Sequence, residues 1–242
     1  VFLFIVKRLR EFPSISVSFL SYIFCIISIV CINKYFKYVG FCCYTILCGI
    51  LANIQFLYPT SYEIFNLKVC LGTVVFSSTF MVCDLINSKY GKNKAINSTY
   101  MNLFFNIFFL INMLLTLGHK PLDNNQLVEL NPKNNIDAMQ TIFLQSPRII
   151  LSSYISYFIA QFAEIWLFRV MGSGILKHNT ALFISSIIVD NFAFTLLSMY
   201  ILNEHSISLY DIVQISSSAI IVRLFCNLFN TIIYRFIKPS VI

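Results

Sequence analysis

Three carboxylates stand within long apolar stretches of this chain: Asp84, Glu164 and Asp190. An ionised side chain at the centre of a bilayer costs roughly 3 kcal/mol on insertion scales and more in simulation, so such groups face a bundle interior or a watery cavity. There they can accept hydrogen bonds from a polar solute, carry a proton or hold a cation. Glu164 and Asp190 have polar company at helical spacing. Ser153, Tyr157, Gln161 and Glu164, spaced four, four and three residues apart, share one helical face. Asn179, Ser186 and Asp190 share another, with Asn191 adjacent, and Ser216, Arg223, Asn227, Asn230 and Tyr234 form a third stripe. An earlier stretch contributes Asn53, with Gln55 turned away from it. Unpaired polar groups in hydrocarbon are expensive, so the stripes must face one another. They line a polar solute site, or they glue helices together as Ser and Asn commonly do. For several residues both roles stand open: Asp84 as ligand or as partner of Lys89 or Lys92, Arg223 as gate or as counter-ion of an acid, Trp166 as interfacial packing or as a wall of the site.

The elements that position these groups are membrane helices. The chain is 58% hydrophobic and only 11% charged, against about 25% charged in soluble domains, and its mean hydropathy is +0.78. Seven apolar runs fall at about 14–32, 39–58, 67–86, 99–118, 148–170, 179–202 and 211–234, each long enough to span a bilayer. Pro13, Pro59, Pro121, Pro132, Pro147 and Pro239 lie between or beyond the runs, where loss of a helical hydrogen bond is harmless. The polar, Asn-rich connection 119–147 reads as a loop, with a short interfacial helix near 136–145. The chain opens on Val rather than Met, as a fragment or an alternative start would, and its first apolar stretch is too long for a cleavable signal and lacks an A-x-A site. All eight cysteines lie within or at the edge of apolar runs and are expected to pack as small hydrophobes, with no metal cluster. His119, His178 and His205 sit at run ends. No H-E-x-x-H, G-x-S-x-G or P-loop appears, so nothing argues for an enzyme or a cofactor.

Basic residues set an orientation. Lys34, Lys37, Lys89, Lys92, Lys94, Arg169, Lys177, Arg235 and Lys238 gather on one side of the last six runs, against Lys68, Lys120, Lys133 and Arg148 on the other. The positive-inside rule then puts the C-terminus in the cytoplasm and 119–147 outside. The net charge of +7 serves this topology and gives no soluble basic face for nucleic acid. The first run conflicts, because its spanning would leave Lys7, Arg8 and Arg10 outside. The expected fold is therefore an all-α integral membrane protein: residues 1–38 form an N-terminal hydrophobic helix, spanning or interfacial, with its linker. Residues 39–242 form a six-helix transport domain with an outer loop at 119–147.

Several of these segments resemble the queuosine precursor transporters, a group also described as vitamin-uptake-like. Leu51-Ala52-Asn53-Ile54 is similar to their Asn-bearing first core helix. Asp84-Leu85-Ile86-Asn87, followed by Tyr90-Gly91-Lys92-Asn93-Lys94-Ala95, resembles their acid-then-aromatic-Gly signature. Arg148 followed by Ser153, Tyr157, Gln161 and Glu164 resembles a helix that carries Ser, an aromatic, Gln and an Asp, here Glu. Asn179-Thr180-Ala181 through Ser185-Ser186 to Asp190-Asn191 resembles their Ser-Thr helix, and Asn230 to Tyr234 sits at their closing motif, with Arg223 in place of a usual Lys and without the final Pro. The resemblance covers about residues 45–235.

It implies import of a 7-deazaguanine (preQ0, preQ1 or queuine) across a bacterial inner membrane for tRNA modification. The implied partners are the deazapurine base and the lipid bilayer, with no nucleic acid bound and the oligomeric state open. The implied substrate residues are Asn53, Asp84, Tyr157, Gln161, Glu164, Asp190 and Asn191, with Arg148 and Arg223 gating or charge-pairing. A guanine-like edge offers two adjacent donors that one carboxylate can accept, a charge-assisted pair; Glu164 or Asp190 fits that role. The other classes weighed are a carrier or binding component for another small polar solute such as a vitamin, a membrane enzyme, and a structural subunit.

Overall fold

Backbone N–H and C=O groups in hydrocarbon must pair within their own segment, and the apolar runs form helices accordingly. The computed structural model describes residues 2–63, 67–120, 137–140, 142–143, 147–171, 183–201 and 209–237. In chain order the elements are α1 (Phe2–Arg10), α2 (Ser14–Tyr35), α3 (Lys37–Phe56), β1 (Pro59–Tyr62), β2 (Leu67–Cys70), α4 (Gly72–Tyr90), α5 (Lys92–Gly118) and α6 (Pro147–Met171). They end with α7, which opens as a π-helical stretch Phe183–Val189 and continues as α-helix Asp190–Ile201, and α8 (Leu209–Ile237). Residues 137–140 are helical within the expected interfacial segment.

Two elements depart from the sequence expectation. The second run ends at Phe56, and the third helix starts at Gly72 rather than 67, because Pro59–Tyr62 and Leu67–Cys70 pair as an antiparallel hairpin. Strand formers Thr60, Tyr62 and Val69 favour the pleated surface, and Pro59 at the strand start cannot continue a helix. Tyr62 and Val69 are buried, and Thr60 Oγ1 lies 3.3 Å from Ser14 Oγ, so the hairpin lids one end of the bundle. The other departure is α1, which exposes its apolar residues and ends on Lys7, Arg8 and Arg10.

Among the described residues, four helical segments are long and apolar enough to cross a membrane: α2, α3, α5 and Ser216–Tyr234 of α8. Helix α4 falls outside that set for a physical reason. It packs against α2, α3, α5, α6 and α8, and Gly72 to Ile86 are buried apart from half-buried Phe76. Surrounded by protein, it carries Ser77, Ser78, Thr79 and Asp84 where lipid would not tolerate them. Helix α5 instead turns Phe104, Phe105, Phe108, Ile111 and Leu115 outward, as lipid contact requires.

Polar cross-links hold the helices on α4. Tyr22 of α2 donates to the Cys226 carbonyl at 3.1 Å and to Asn230 Oδ1 at 2.8 Å, and Asn230 donates to the Ser77 carbonyl at 3.3 Å. The α2 segment is thereby tied into the bundle. Tyr44 of α3 hydrogen-bonds Ser78 at 2.8 Å, and Asn102 of α5 donates to the Thr45 carbonyl at 3.0 Å. The eight cysteines are all free, and six are buried as small apolar side chains.

Two glycines are required by geometry. Gly91 joins α4 to α5 at φ 86° and ψ 165°, an extended positive-φ conformation that is essentially confined to Gly and costs another residue about 1–3 kcal/mol. At Gly72 a Cβ would collide with the Ala52 carbonyl of α3. We therefore expect Gly72→Val to lower stability in detergent by about 1–3 kcal/mol through overpacking. Gly118→Ala, with nothing within 4 Å of the added carbon, is expected to leave stability within about 0.5 kcal/mol. Thermal unfolding of the two purified variants checks this contrast.

Candidate functional site

The end of α3, the start of α4 and the early turns of α6 converge with the middle of α7 and the first half of α8 beneath the hairpin. Between them lies a partly open cleft of about 70 Å³. Its aromatic walls are Phe56, Phe76 and Phe194, with Phe56 and Phe194 meeting edge-on at 5.7 Å. The α3–α4 contact at Gly72 sits in the same wall.

Charge enters the cleft from α7 and α8. Arg223 Nη1 donates to Asp190 Oδ2 at 2.5 Å, and both side chains are buried. The guanidinium also lies 5.2 Å from the centre of the Phe76 ring, a cation–π distance. The second oxygen, Asp190 Oδ1, has no hydrogen-bond partner, nor does the neighbouring amide nitrogen Asn191 Nδ2. Asp190 stands where the π-helical stretch becomes α-helical, and such local widening re-aims side chains at functional sites. Asn53 Nδ2 donates to the Gly49 carbonyl at 2.8 Å, and Thr195 and Ser216 hydroxyls meet at 3.2 Å across α7 and α8. The cleft thus offers a carboxylate acceptor and an amide donor between aromatic walls, which suits a planar polar solute.

A second polar tier lies deeper. Glu164 is eight residues beyond Ser156 on α6, about 12 Å along the helix. Its carboxyl group neighbours that of Asp84 on α4, and each acts on the other. Gln161, one turn earlier on the same face, is buried with Nε2 lacking an acceptor. An aromatic layer separates the tiers: Phe76, Phe80 and Tyr157 pack edge-to-face at 5.0–6.0 Å between centroids. The Tyr157 hydroxyl accepts from Asn102 Nδ2 at 3.1 Å, and Asn106 donates to Asn102 in turn.

The structure therefore divides the residues that the sequence grouped together. Asn53, Asp190, Asn191 and Arg223 line the cleft, with Ser153 and Ser216. Asp84, Gln161 and Glu164 form the deeper tier, and Tyr157 belongs to the layer between. Arg223 is the counter-ion of Asp190. Lys89 bonds Asn33 at 2.7 Å and leaves Asp84 to face Glu164. Trp166 is 59% exposed on the bundle surface, so it walls no site. Asn179 and the side chains of Arg148 and Ser186 lie outside the described residues.

Sequence reasoning missed Phe56, Phe76, Phe194, Asn102 and Asn106. Phe56 and Phe194 follow Asn53 and Asp190 by three and four residues, one turn on the same face. In a chain with 25 phenylalanines that signal has no contrast. The Asn102–Asn106 pair, four apart in an apolar run, was visible.

A helical membrane bundle that encloses a small polar cleft under a lid has the architecture of a solute carrier. Residues 70–237 match the family described as "Putative vitamin uptake transporter", well over half of the chain, and the chain belongs to that family. Over 122 residues it is 24% identical to the "Probable queuosine precursor transporter" of Bacillus subtilis (strain 168), covering 50% of this chain and 48% of that protein. The chain thus spans about half the length of this curated relative. No solved structure matches it.

Removing one member of a buried ion pair strands the other and is destabilising by about 3–5 kcal/mol, whereas an apolar replacement of both is often neutral. Arg223→Met is therefore expected to lower the unfolding midpoint in detergent, and Asp190→Leu/Arg223→Met to recover most of the loss. A double variant as unstable as the single would show that the pair does not set the stability of the α7–α8 contact.

Proposed function

We propose that this chain is a carrier that imports a queuosine precursor, a 7-deazaguanine, across the bacterial cytoplasmic membrane. The observation that carries the proposal is the pairing of Asp190 Oδ1 with Asn191 Nδ2, both unpartnered, in a cleft walled by phenylalanines. The ring N–H and exocyclic amine of a guanine-like edge donate to the carboxylate, which is a charge-assisted interaction. The amides of Asn191 and Asn53 serve the neighbouring carbonyl and ring nitrogens. Phe76 or Phe194 stacks on the ring plane. The cleft, at about 70 Å³, is smaller than typical ligand pockets of roughly 300–1,000 Å³. Admitting a base therefore requires α7 and α8 to part from α3 and α4, and the Asp190–Arg223 bond opens as the base takes its place.

The proposed topology has α3 to α8 crossing the membrane as the transport domain of residues 39–242, with α2 alongside. The hairpin faces outward, and the loop 119–147, most of which lies outside the described residues, is expected on the same side. Lys34, Lys37, Lys89, Lys92, Lys94 and Arg169 lie at the opposite end of their helices, which the positive-inside rule places in the cytoplasm with the C-terminus. The name of the Bacillus subtilis relative supports a queuosine precursor. The family description favours a second solute class, a vitamin.

A rescue assay tests the proposal. The chain is expressed in a bacterial host lacking queuosine synthesis and its own importer, given nanomolar preQ0, preQ1 or, with a queuine-inserting transglycosylase, queuine. Queuosine in tRNA is then measured. Rescue by one precursor is expected, as is loss of at least tenfold in uptake rate for Asn191→Ala with normal membrane levels. No rescue, with the protein present in the membrane, would move the assignment to a vitamin or another solute.

A further inference from the structure

The deeper tier has a chemistry that the cleft does not use. Glu164 is 1% exposed, and neither of its carboxyl oxygens meets a hydrogen-bond donor. It faces Asp84, also 1% exposed, on the innermost helix. Among the described residues, ionisable groups acting on this pair include Cys83 of α4, Tyr157 of α6 and Tyr234 of α8. Among the described residues no Lys, Arg or His forms an ion pair with Glu164. Two carboxylates in contact in a dry interior cannot both stay ionised. One proton between them supplies the missing donor, an O–H of one acid to an oxygen of the other. Gln161 adds an independent sign that the site changes occupancy. Its amide nitrogen, 1% exposed and without an acceptor, is the donor that an ionised Glu164 needs once the proton has left.

An open recess lies near the site. Asn87, three residues beyond Asp84, and Phe168, four beyond Glu164, line an open recess of about 560 Å³ together with Tyr90, Lys92 and Arg169. The carboxyl pair is thus one helical turn above this recess, at the end carrying the basic residues. On the other side the Phe76–Phe80–Tyr157 layer closes it off from the cleft. Helices α4 and α6 carry residues of both tiers, so a movement that opens one alters the other.

We infer that Glu164 and Asp84 form a proton site, distinct from the solute cleft, through which this carrier couples solute uptake to proton entry. The inference rests on the transport function proposed above. A proton bound with the solute at the outward-open stage is released from the pair into the recess at the inward-open stage, where Gln161 turns its N–H to the carboxylate. One proton enters per solute and no covalent bond changes.

The test uses the full chain in liposomes with tritiated preQ0, which is uncharged, and separately with tritiated preQ1. Counterflow without a gradient measures carrier function alone. An inward pH step of about one unit is expected to drive preQ0 accumulation of up to about tenfold, the ratio that such a step supports at one proton per solute. Glu164→Gln and, separately, Asp84→Asn are expected to keep counterflow and to lose that accumulation. Counterflow in the wild type without pH-driven accumulation, or accumulation driven by a sodium gradient instead, would overturn proton coupling while leaving transport intact. Loss of counterflow in both acid variants would return the pair to the solute site and overturn the inference. Absence of counterflow with either solute would overturn the transport function and the inference with it. Infrared spectra give a readout free of activity: a protonated carboxyl band at neutral pH is expected in the wild type and absent in Glu164→Gln/Asp84→Asn. A wild type without that band would also overturn the proton site.

Discussion

The bond between Arg223 and Asp190 fixes the geometry on which the candidate site depends. In an apolar bundle neither charge survives alone, so α7 and α8 must meet where these two residues meet. That contact leaves one oxygen of Asp190, a residue of the cleft wall, without a hydrogen-bond partner, and it brings the guanidinium over Phe76 of α4. A single ion pair therefore sets the position of the acceptor, the aromatic wall and the closure of the cleft.

The same rule explains the middle of the bundle. Among the described residues, helix α4 is wrapped by protein on nearly all sides; Ser78 and Asp84 find partners on the helices around it, while the Ser77 and Thr79 hydroxyls turn back to carbonyls of α4 itself. Tyr44 and Asn230 reach it from α3 and α8, and Tyr22 of α2 joins through Asn230. Interhelical hydrogen bonds in membranes are worth only about 0.6–2 kcal/mol each, so these links specify register more than they supply stability. Two tiers of charge are held apart by the Phe76–Phe80–Tyr157 layer, and a carrier needs such a dry barrier between its two sides.

Much of this was legible in the sequence. The polar stripes on α6 and α8 follow the helical period, and the structure turns Gln161, Glu164, Arg223, Asn227 and Asn230 inward as that period requires. The runs themselves are long, and proline marks their ends. What the stripes do not encode is depth and neighbour: a helical face does not say whether Glu164 and Asp190 share one site or occupy two. The Phe walls were invisible because phenylalanine serves lipid and site alike. The hairpin was absorbed into the flanking apolar runs, since Val69 and Cys70 read equally as helix or strand in so short a stretch.

Equilibrium binding tests the central claim most directly. Purified protein in lipid nanodiscs is titrated with tritiated preQ0 or preQ1, with unlabelled 7-deazaguanines and unlabelled vitamins as competitors. The arrangement of Asp190, Asn191 and the aromatic walls predicts saturable binding that deazaguanines displace, vitamins do not, and Asp190→Asn weakens at least tenfold. Binding that a vitamin displaces, or that Asp190→Asn leaves unchanged, would contradict it.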